Sequence, residues 1–252
     1  MGMTDAEIYE FDLNGIIVYR DLIGRDDVSR MNSLIDDKIV QDGKDYSHSF
    51  SFLDIDACFM DLMAHPRTLG IIRHMIGDWL RLDHHYGLQM DNTSVSKGKT
   101  KPNLHGGPRQ DNGEHEYQWI DGKMYNGLIV VMYALEDVNP GDGGFIAVPG
   151  SHKSNMGVRH KPPVDSPLVT NPSLKAGDML IFTEALVHGT NTWTSDGRRR
   201  SLLYKYSPGH SAWSEASGQE RYLPITQNDL QRDLLRPPSV GGRKPLNFPA
   251  TK

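Results

Sequence analysis

The sequence predicts a mainly β fold with N-terminal helices, arranged as a double-stranded β-helix, a cupin-like jelly roll. Helical periodicity characterises about residues 1–78, whereas short apolar runs separated by Gly/Pro turns fill about 79–209. An extension of about 210–252 follows. Because no repeat or low-complexity linker interrupts the 252 residues, we expect a single domain.

Two amphipathic segments define the helical support. Apolar residues recur at helical spacing across 25–43, where aspartates come near the start and a glycine ends the segment. The segment 66–77 begins with a proline, which suits a first helical turn, and also ends with a glycine. A short strand is predicted ahead of both, at 15–20.

Apolar runs bounded by Gly/Pro turns predict the barrel strands, at 80–91, 128–138, 145–152, 174–189 and 199–209. The run 128–138 is apolar almost throughout, which is typical of a central strand. A short helix is predicted at 226–235. The tail beyond it either covers the barrel mouth or forms a subunit contact, and the sequence leaves both open.

Composition excludes several classes of function. The formal net charge of −5 argues against general binding of nucleic acid or a membrane surface. Cys58 is the only cysteine, which excludes an intrachain disulfide and fits a reducing cytoplasm. The N-terminus lacks the apolar region of a secretory signal, and no run is long enough to span a membrane. We therefore expect a cytoplasmic protein that acts on a small molecule.

The most informative chemistry lies in the segment 177–209. An apolar strand delivers His188, whose neutral imidazole would suit iron, zinc or manganese. Arg199 follows on the next strand, and its planar guanidinium suits two-pronged binding of a carboxylate. Strand alternation should turn Arg198 and Arg200 to the opposite, solvated face. The plainer interpretations are a core histidine and a structural salt bridge.

A second histidine, His105, lies in a Gly/Pro-rich loop before the central strands. A two-histidine, one-carboxylate metal site usually takes its carboxylate two residues after the first histidine, but Gly107 occupies that position. The open position would hold a halide, a water, or a carboxylate from Asp111, Glu114 or Glu116. Alternatively, the two glycines serve only a tight turn.

Together these segments resemble the phytanoyl-CoA dioxygenase family of Fe(II)- and 2-oxoglutarate-dependent jelly-roll oxygenases. The matching motifs are LEDV at 135–138, GGFIAVPGSHK at 143–153, GDMLIF at 177–182, and HGT at 188–190 followed by Arg199. The resemblance implies that His105 and His188 bind iron. It implies that Arg199 binds the distal carboxylate of 2-oxoglutarate, helped by Thr190, with Gln89 as a weaker candidate.

Gly107 departs from the family pattern and resembles the His-x-Gly motif of iron/2-oxoglutarate halogenases. In that group chloride takes the coordination position that the missing carboxylate leaves. Water at the same position would instead give a hydroxylase. A branch with this motif that binds no metal at all is a third possibility.

Other residues near the expected mouth are weaker candidates for substrate contact: Arg109, Tyr125 and Trp193, then Asn126, Tyr206 and His210. Packing or surface roles are at least as plausible for each. His152 fits a structural turn. His115 and His160 lie in polar segments and are expected to be solvated.

The primary hypothesis is an Fe(II)/2-oxoglutarate enzyme that uses O2 to act on an unactivated C–H bond of a small molecule. Gly107 favours halogenation with chloride slightly over hydroxylation. One rival is a non-catalytic jelly-roll binding protein. Another is a cupin-type metalloenzyme without 2-oxoglutarate, for which Arg199 would be dispensable.

Overall fold

The computed structural model describes residues 2–43, 49–92, 101–108, 115–155, 160–213, 219–242 and 244–247. Among these residues, four α-helices precede the main strands and another follows them: α1 Asp5–Asn14, α2 Arg25–Asp42, α3 Ala57–Met63, α4 Pro66–Ile76 and α5 Asp229–Leu234. The helices predicted at 25–43, 66–77 and 226–235 are present as α2, α4 and a shorter α5. Sequence periodicity missed α1 and α3.

Local chemistry explains the helix ends. In α1 the Thr4 side chain accepts from the Glu7 amide while the Glu7 carboxylate accepts from the Thr4 amide, and Gly15 closes the helix with φ +71°. In α3 the Asp56 carboxylate accepts from the Cys58 amide. Proline at the first position starts α4.

Eleven strands form the β part of the molecule: β1 Ile16–Tyr19, β2 Ser49–Phe50, β3 Leu80–Met90, β4 Asn103–His105, β5 Tyr117–Ile120, β6 Lys123–Asn126, β7 Ile129–Ala134, β8 Gly144–Ala147, β9 Met179–Thr183, β10 His188–Asn191 and β11 Arg199–Pro208. A six-stranded sheet has the order β1-β9-β7-β11-β3-β2, and a three-stranded sheet has the order β4-β10-β8. Strands β5 and β6 form a separate hairpin. The pairings are antiparallel, as a jelly roll requires.

The large sheet carries a core on each face. Alternate residues of β11 show this division, because Leu202 and Tyr204 pack with the helices whereas Leu203 packs with residues of the small sheet. The inner cluster includes Phe145 of β8 and Phe182 of β9. The chemistry-bearing residues of β10 and β11 therefore face the inner core between the two sheets, while the helices pack on the outer face of the large sheet.

Arg200 fixes β11 to helix α2. Its guanidinium donates to Gln89 Oε1, Asn32 Oδ1 and Asp36 Oδ1 at 2.6–2.9 Å, and its side chain is fully buried. Arg198 also pairs with Asp36, at 2.9 Å. The prediction that both arginines face away from Arg199 agrees with this geometry. The prediction of a solvated pair is wrong for Arg200, because α2 covers it.

The C-terminal segment lies on the helical side. Gln231 donates to Asp61 of α3 at 2.9 Å, and Leu234 is buried in the outer core. Among the described residues, no helix combines the length and apolar character needed to cross a membrane. The single-domain organisation stays a prediction.

His152, in the PGSHK motif, lies against helix α1 rather than in the inner core. Its Nε2 donates to the Asp12 carbonyl at 3.1 Å, and its ring meets Tyr117 edge-on at 4.5 Å. Burial lowers the pKa of His152 to about 4, and burial also lowers the pKa of His85 to about 4. Both rings therefore stay neutral in the folded protein well below neutral pH.

We expect the free energy of unfolding to fall as the pH drops from about 6.5 towards 4. The unfolded chain protonates these histidines near pH 6.5 whereas the folded chain does not, so unfolding takes up protons in this window. Each histidine contributes a slope of at most roughly 1.4 kcal/mol per pH unit. Urea unfolding between these pH values measures the slope, which His152→Gln should reduce. Replacement of the exposed His160 is the control, and a pH-independent stability would contradict the prediction.

Candidate metal centre and anion site

A tight turn between β9 and β10 places Glu184 and His188 on the same side of the chain. The Leu186 amide donates to the Thr183 carbonyl at 2.9 Å, and the Val187 amide donates to Ser151 Oγ at 2.8 Å. The Glu184 amide donates to the Leu128 carbonyl at 3.0 Å, which anchors the turn to the start of β7. The PGSHK motif thus supports the metal side of the barrel through Ser151.

The register of β4 against β10 brings His105 opposite His188. The two residues are direct partners across the strands, and their ring centroids lie 4.3 Å apart. His188 Nδ1 lies 2.8 Å from the Leu186 carbonyl, which only accepts, so Nδ1 carries the proton and Nε2 keeps its lone pair. Burial lowers the pKa of His188 to about 4, and burial lowers the pKa of His105 as well.

A buried carboxylate completes this cluster. The ligand atoms of His105, Glu184 and His188 lie within 4.8 Å of one another, and Glu184 Oε1 is 3.7 Å from His188 Nε2. Burial alone would raise the pKa of Glu184, but the charges of Lys205 and His188 hold it at about 2. At neutral pH a carboxylate oxygen and an imidazole lone pair thus face each other without a proton between them.

Two imidazoles and one carboxylate are the donor set of non-haem iron sites with open positions. The residues present therefore fit such a metal. Glu184 and His188 are buried whereas His105 is exposed, so the cluster opens to solvent on the His105 side.

Glu184 was missed by sequence reasoning, which sought a carboxylate near Gly107. Of the three acids predicted there, Asp111 and Glu114 lie outside the described residues. Glu116 is exposed, and its carboxylate accepts a hydrogen bond from Gln118, its neighbour on β5. The available signal was an acid four residues before His188, at the end of an apolar strand.

The two glycines after His105 have backbone roles. Gly106 has φ +74°, and a Cβ there would lie 2.4 Å from the Leu186 carbonyl oxygen, within the turn that carries Glu184. Gly107 has φ +101°, and its carbonyl accepts from His115 Nδ1 at 3.0 Å. His115 is buried, so the prediction that it is solvated is wrong.

Arg199 projects into the inner core and is 2% exposed. Its Nη1 lies 3.1 Å from Met90 Sδ and its Nη2 lies 3.6 Å from Met132 Sδ, and within the described ranges it forms no ion pair. Burial lowers the pKa of Arg199 to about 10, so it is charged at neutral pH. A buried guanidinium among thioethers is costly unless an anion joins it. The structural salt bridge considered for Arg199 is not found among the described residues.

The other predicted site residues divide between the two faces. Thr190 lies two residues after His188 on β10, hence on the same face. Gln89 accepts from Arg200 on the helix side, and its contact with the cosubstrate stays a prediction. Trp193 is 1% exposed and donates to the Gly197 carbonyl at 2.7 Å, and its contact with a substrate also stays a prediction.

Tyr125 is 49% exposed and lines a cavity of about 560 Å³ together with Glu116 and His210. Asn126 also lines it, but its amide donates to the Met75 carbonyl at 3.0 Å. Tyr206 is buried and donates to the Met63 carbonyl on the helix side. Arg109 lies outside the described residues.

A family model for phytanoyl-CoA dioxygenase (PhyH) matches residues 11–201. The chain belongs to the phytanoyl-CoA dioxygenase family. It is accordingly a non-haem Fe(II)/2-oxoglutarate-dependent enzyme, as the sequence motifs predicted. No sequence among the curated proteins matches it.

Solved structures share its fold. HygX from Streptomyces hygroscopicus with nickel and 2-oxoglutarate bound is 24% identical, with a TM-score of 0.74 over 84% of this chain and 90% of HygX. The structure of HygX with iron bound is also 24% identical, with a TM-score of 0.72 over 84% of this chain and 89% of HygX. SnoK, a non-heme alpha ketoglutarate dependent carbocyclase from nogalamycin biosynthesis, is 15% identical and gives 0.63 over 87% and 90%. These likenesses confirm the jelly-roll prediction.

We expect Gly144→Ala to weaken the binding of 2-oxoglutarate by roughly tenfold, a loss of about 1.4 kcal/mol. A Cβ at Gly144 would lie 2.9 Å from Arg199 Nε, so the guanidinium must shift. Gly141→Ala is the matched control, since Gly141 also has a positive φ (+91°) but no atom near its missing Cβ. Calorimetric titration of the Ni(II)-loaded proteins measures both. Equal affinities of the two variants would contradict the prediction.

Proposed function

We propose that this protein is an Fe(II)- and 2-oxoglutarate-dependent oxygenase that hydroxylates or otherwise oxidises an unactivated C–H bond of a small molecule. The observation that carries the proposal is the cluster of His105, Glu184 and His188, together with a buried Arg199 that forms no ion pair with any residue the structure describes. When bound, Fe(II) would couple the decarboxylation of 2-oxoglutarate by O2 to oxidation of the substrate.

Each residue of the cluster has a definite task. His188 offers Nε2 because Leu186 holds its Nδ1 proton, and His105 offers the second imidazole from the facing strand. Glu184 supplies the anionic ligand. Arg199 would bind the distal carboxylate of 2-oxoglutarate in water-poor surroundings, where a charge-assisted pair is strong, and Thr190 would add a hydroxyl group.

Glu184 favours oxygenation over halogenation. The argument for chloride began from the lack of a carboxylate at Gly107, and it loses its basis when another carboxylate reaches the cluster. Glu184 provides the single negative charge that chloride would otherwise supply. Halogenation remains a second candidate only because the His-Gly-Gly sequence resembles the halogenase motif. A non-catalytic binding role would leave the membership in this enzyme family unexplained.

The substrate is proposed to be a small polyfunctional molecule. HygX has been crystallised with hygromycin B bound, and SnoK belongs to nogalamycin biosynthesis. The cavity lined by Tyr125 and His210 offers polar and aromatic contacts for a ligand of that kind.

Glu184→Gln should lower the affinity for Fe(II) by more than roughly tenfold, because an amide is a weaker ligand than a carboxylate. Competition with a chromophoric chelator under anaerobic conditions measures the affinity. Glu136→Gln is the control, since Glu136 pairs with an arginine at the protein surface. Unchanged affinity in Glu184→Gln would remove Glu184 from the ligand set.

Chloride should not alter the visible absorption of the anaerobic Fe(II)–2-oxoglutarate protein, because Glu184 already occupies the anionic position. Glu184→Gly should create a chloride response. Oxygen turnover in chloride buffer should yield succinate from the wild-type protein, without chlorinated product from any substrate it accepts. A chloride-dependent spectrum in the wild-type protein would instead support the halogenase hypothesis.

A further inference from the structure

The two oxygens of Glu184 have different partners. Oε1 lies 3.7 Å from His188 Nε2, on the side of the two imidazoles. Oε2 lies 3.1 Å from Lys205 Nζ, which donates a hydrogen bond to it. The carboxylate is thus directed to the metal cluster through one oxygen and held away from it through the other.

Lys205 is fixed in this position from several directions. It belongs to the inward face of β11 with Arg199 and Leu203, and it is 7% exposed. Its ammonium group lies 5.5 Å from the centre of the Tyr86 ring and 5.6 Å from that of Trp213, so two aromatic faces stabilise the charge. Burial would lower the pKa of Lys205, but the charge of Glu184 raises it.

We propose that Lys205 is a positioning residue that keeps Glu184 a ligand through one oxygen only. The inference rests on the metal centre proposed above. Two imidazoles and one carboxylate oxygen would leave the metal with positions open for 2-oxoglutarate and O2. A carboxylate that bound through both oxygens would take one of these open positions.

The hydrogen bond from Lys205 matters because the carboxylate of this site is that of Glu184, on the turn between β9 and β10, and not one close to His105 in the sequence. A glutamate has one more rotatable bond than an aspartate, and its longer chain allows both oxygens to approach the ion. The hydrogen bond from Lys205 removes that freedom. Leu186 fixes His188 in the same manner, through the nitrogen that faces away from the cluster.

The experiment compares wild-type protein with Lys205→Met, Lys205→Gln and Lys205→Arg, each loaded anaerobically with Fe(II). The readouts are Fe(II) affinity, the visible charge-transfer band that reports chelation by 2-oxoglutarate, and the electron paramagnetic resonance signal of the complex with nitric oxide. Lys175→Met is the matched control, because Lys175 also pairs with a carboxylate, at 2.8 Å, but at the surface.

We expect Lys205→Met to retain Fe(II) affinity within about tenfold of the wild type. With 2-oxoglutarate present it should lose either the charge-transfer band or the nitric oxide complex, since a second oxygen of Glu184 takes a position. Lys205→Arg should restore the charge-transfer band and the nitric oxide complex. The control Lys175→Met should show both of these signals.

Retention of both signals in Lys205→Met would overturn the inference, and so would loss of Fe(II) binding in a folded variant. If both neutral variants unfold, Lys205 serves the fold rather than the metal, and the inference also fails. Failure of the proposed function would look different, because the wild-type protein itself would then lack the charge-transfer band.

Discussion

The alternation of side chains along β11 is the constraint on which the site depends. The strand is hydrogen-bonded on both sides, to β3 and to β7, over most of its length. Arg199, Leu203 and Lys205 point inward, while Arg200 and Tyr204 point to the helices. A slip of one residue would exchange the two faces and move the charged side chains of Arg199 and Lys205 to the helical side. The pairing of Arg200 with Asp36 stabilises the correct register, because the side-chain partners of Arg200 among the described residues all lie on the helical side.

The inner core holds charges that a barrel of this size would normally exclude. Lys205 and Glu184 neutralise each other, so their burial is compensated by a short ion pair. Among the described residues, the hydrogen-bond partners of Arg199 are sulfur atoms alone. An anionic ligand that paired with Arg199 should therefore stabilise the folded state. The apolar packing of the outer core offsets the free energy of folding that is lost by burying these charges.

Sequence patterns predicted the architecture and half of the site. Apolar runs located the strands that carry His188 and Arg199, and the spacing of motifs identified the family. The acidic member of the cluster was missed because residues near His105 in the sequence were taken to be near it in space. Glu184 reaches His105 only through the β4–β10 register. The pattern of β3 did not reveal that Met90, rather than Gln89, is the strand partner of Arg199. Position along the chain made Trp193 a candidate, but it could not show that the indole packs in the inner core.

The glycines after His105 and the position of Glu184 are two parts of one arrangement. The turn at 184–187 lies directly against Gly106, where a Cβ would come within 2.4 Å of the Leu186 carbonyl and 3.1 Å of the Glu184 carbonyl. Any side chain there would push the turn, and Glu184 with it, away from His105. The glycine at 106 thus allows the turn at 184–187 to lie close enough for Glu184 to join the cluster of His105 and His188.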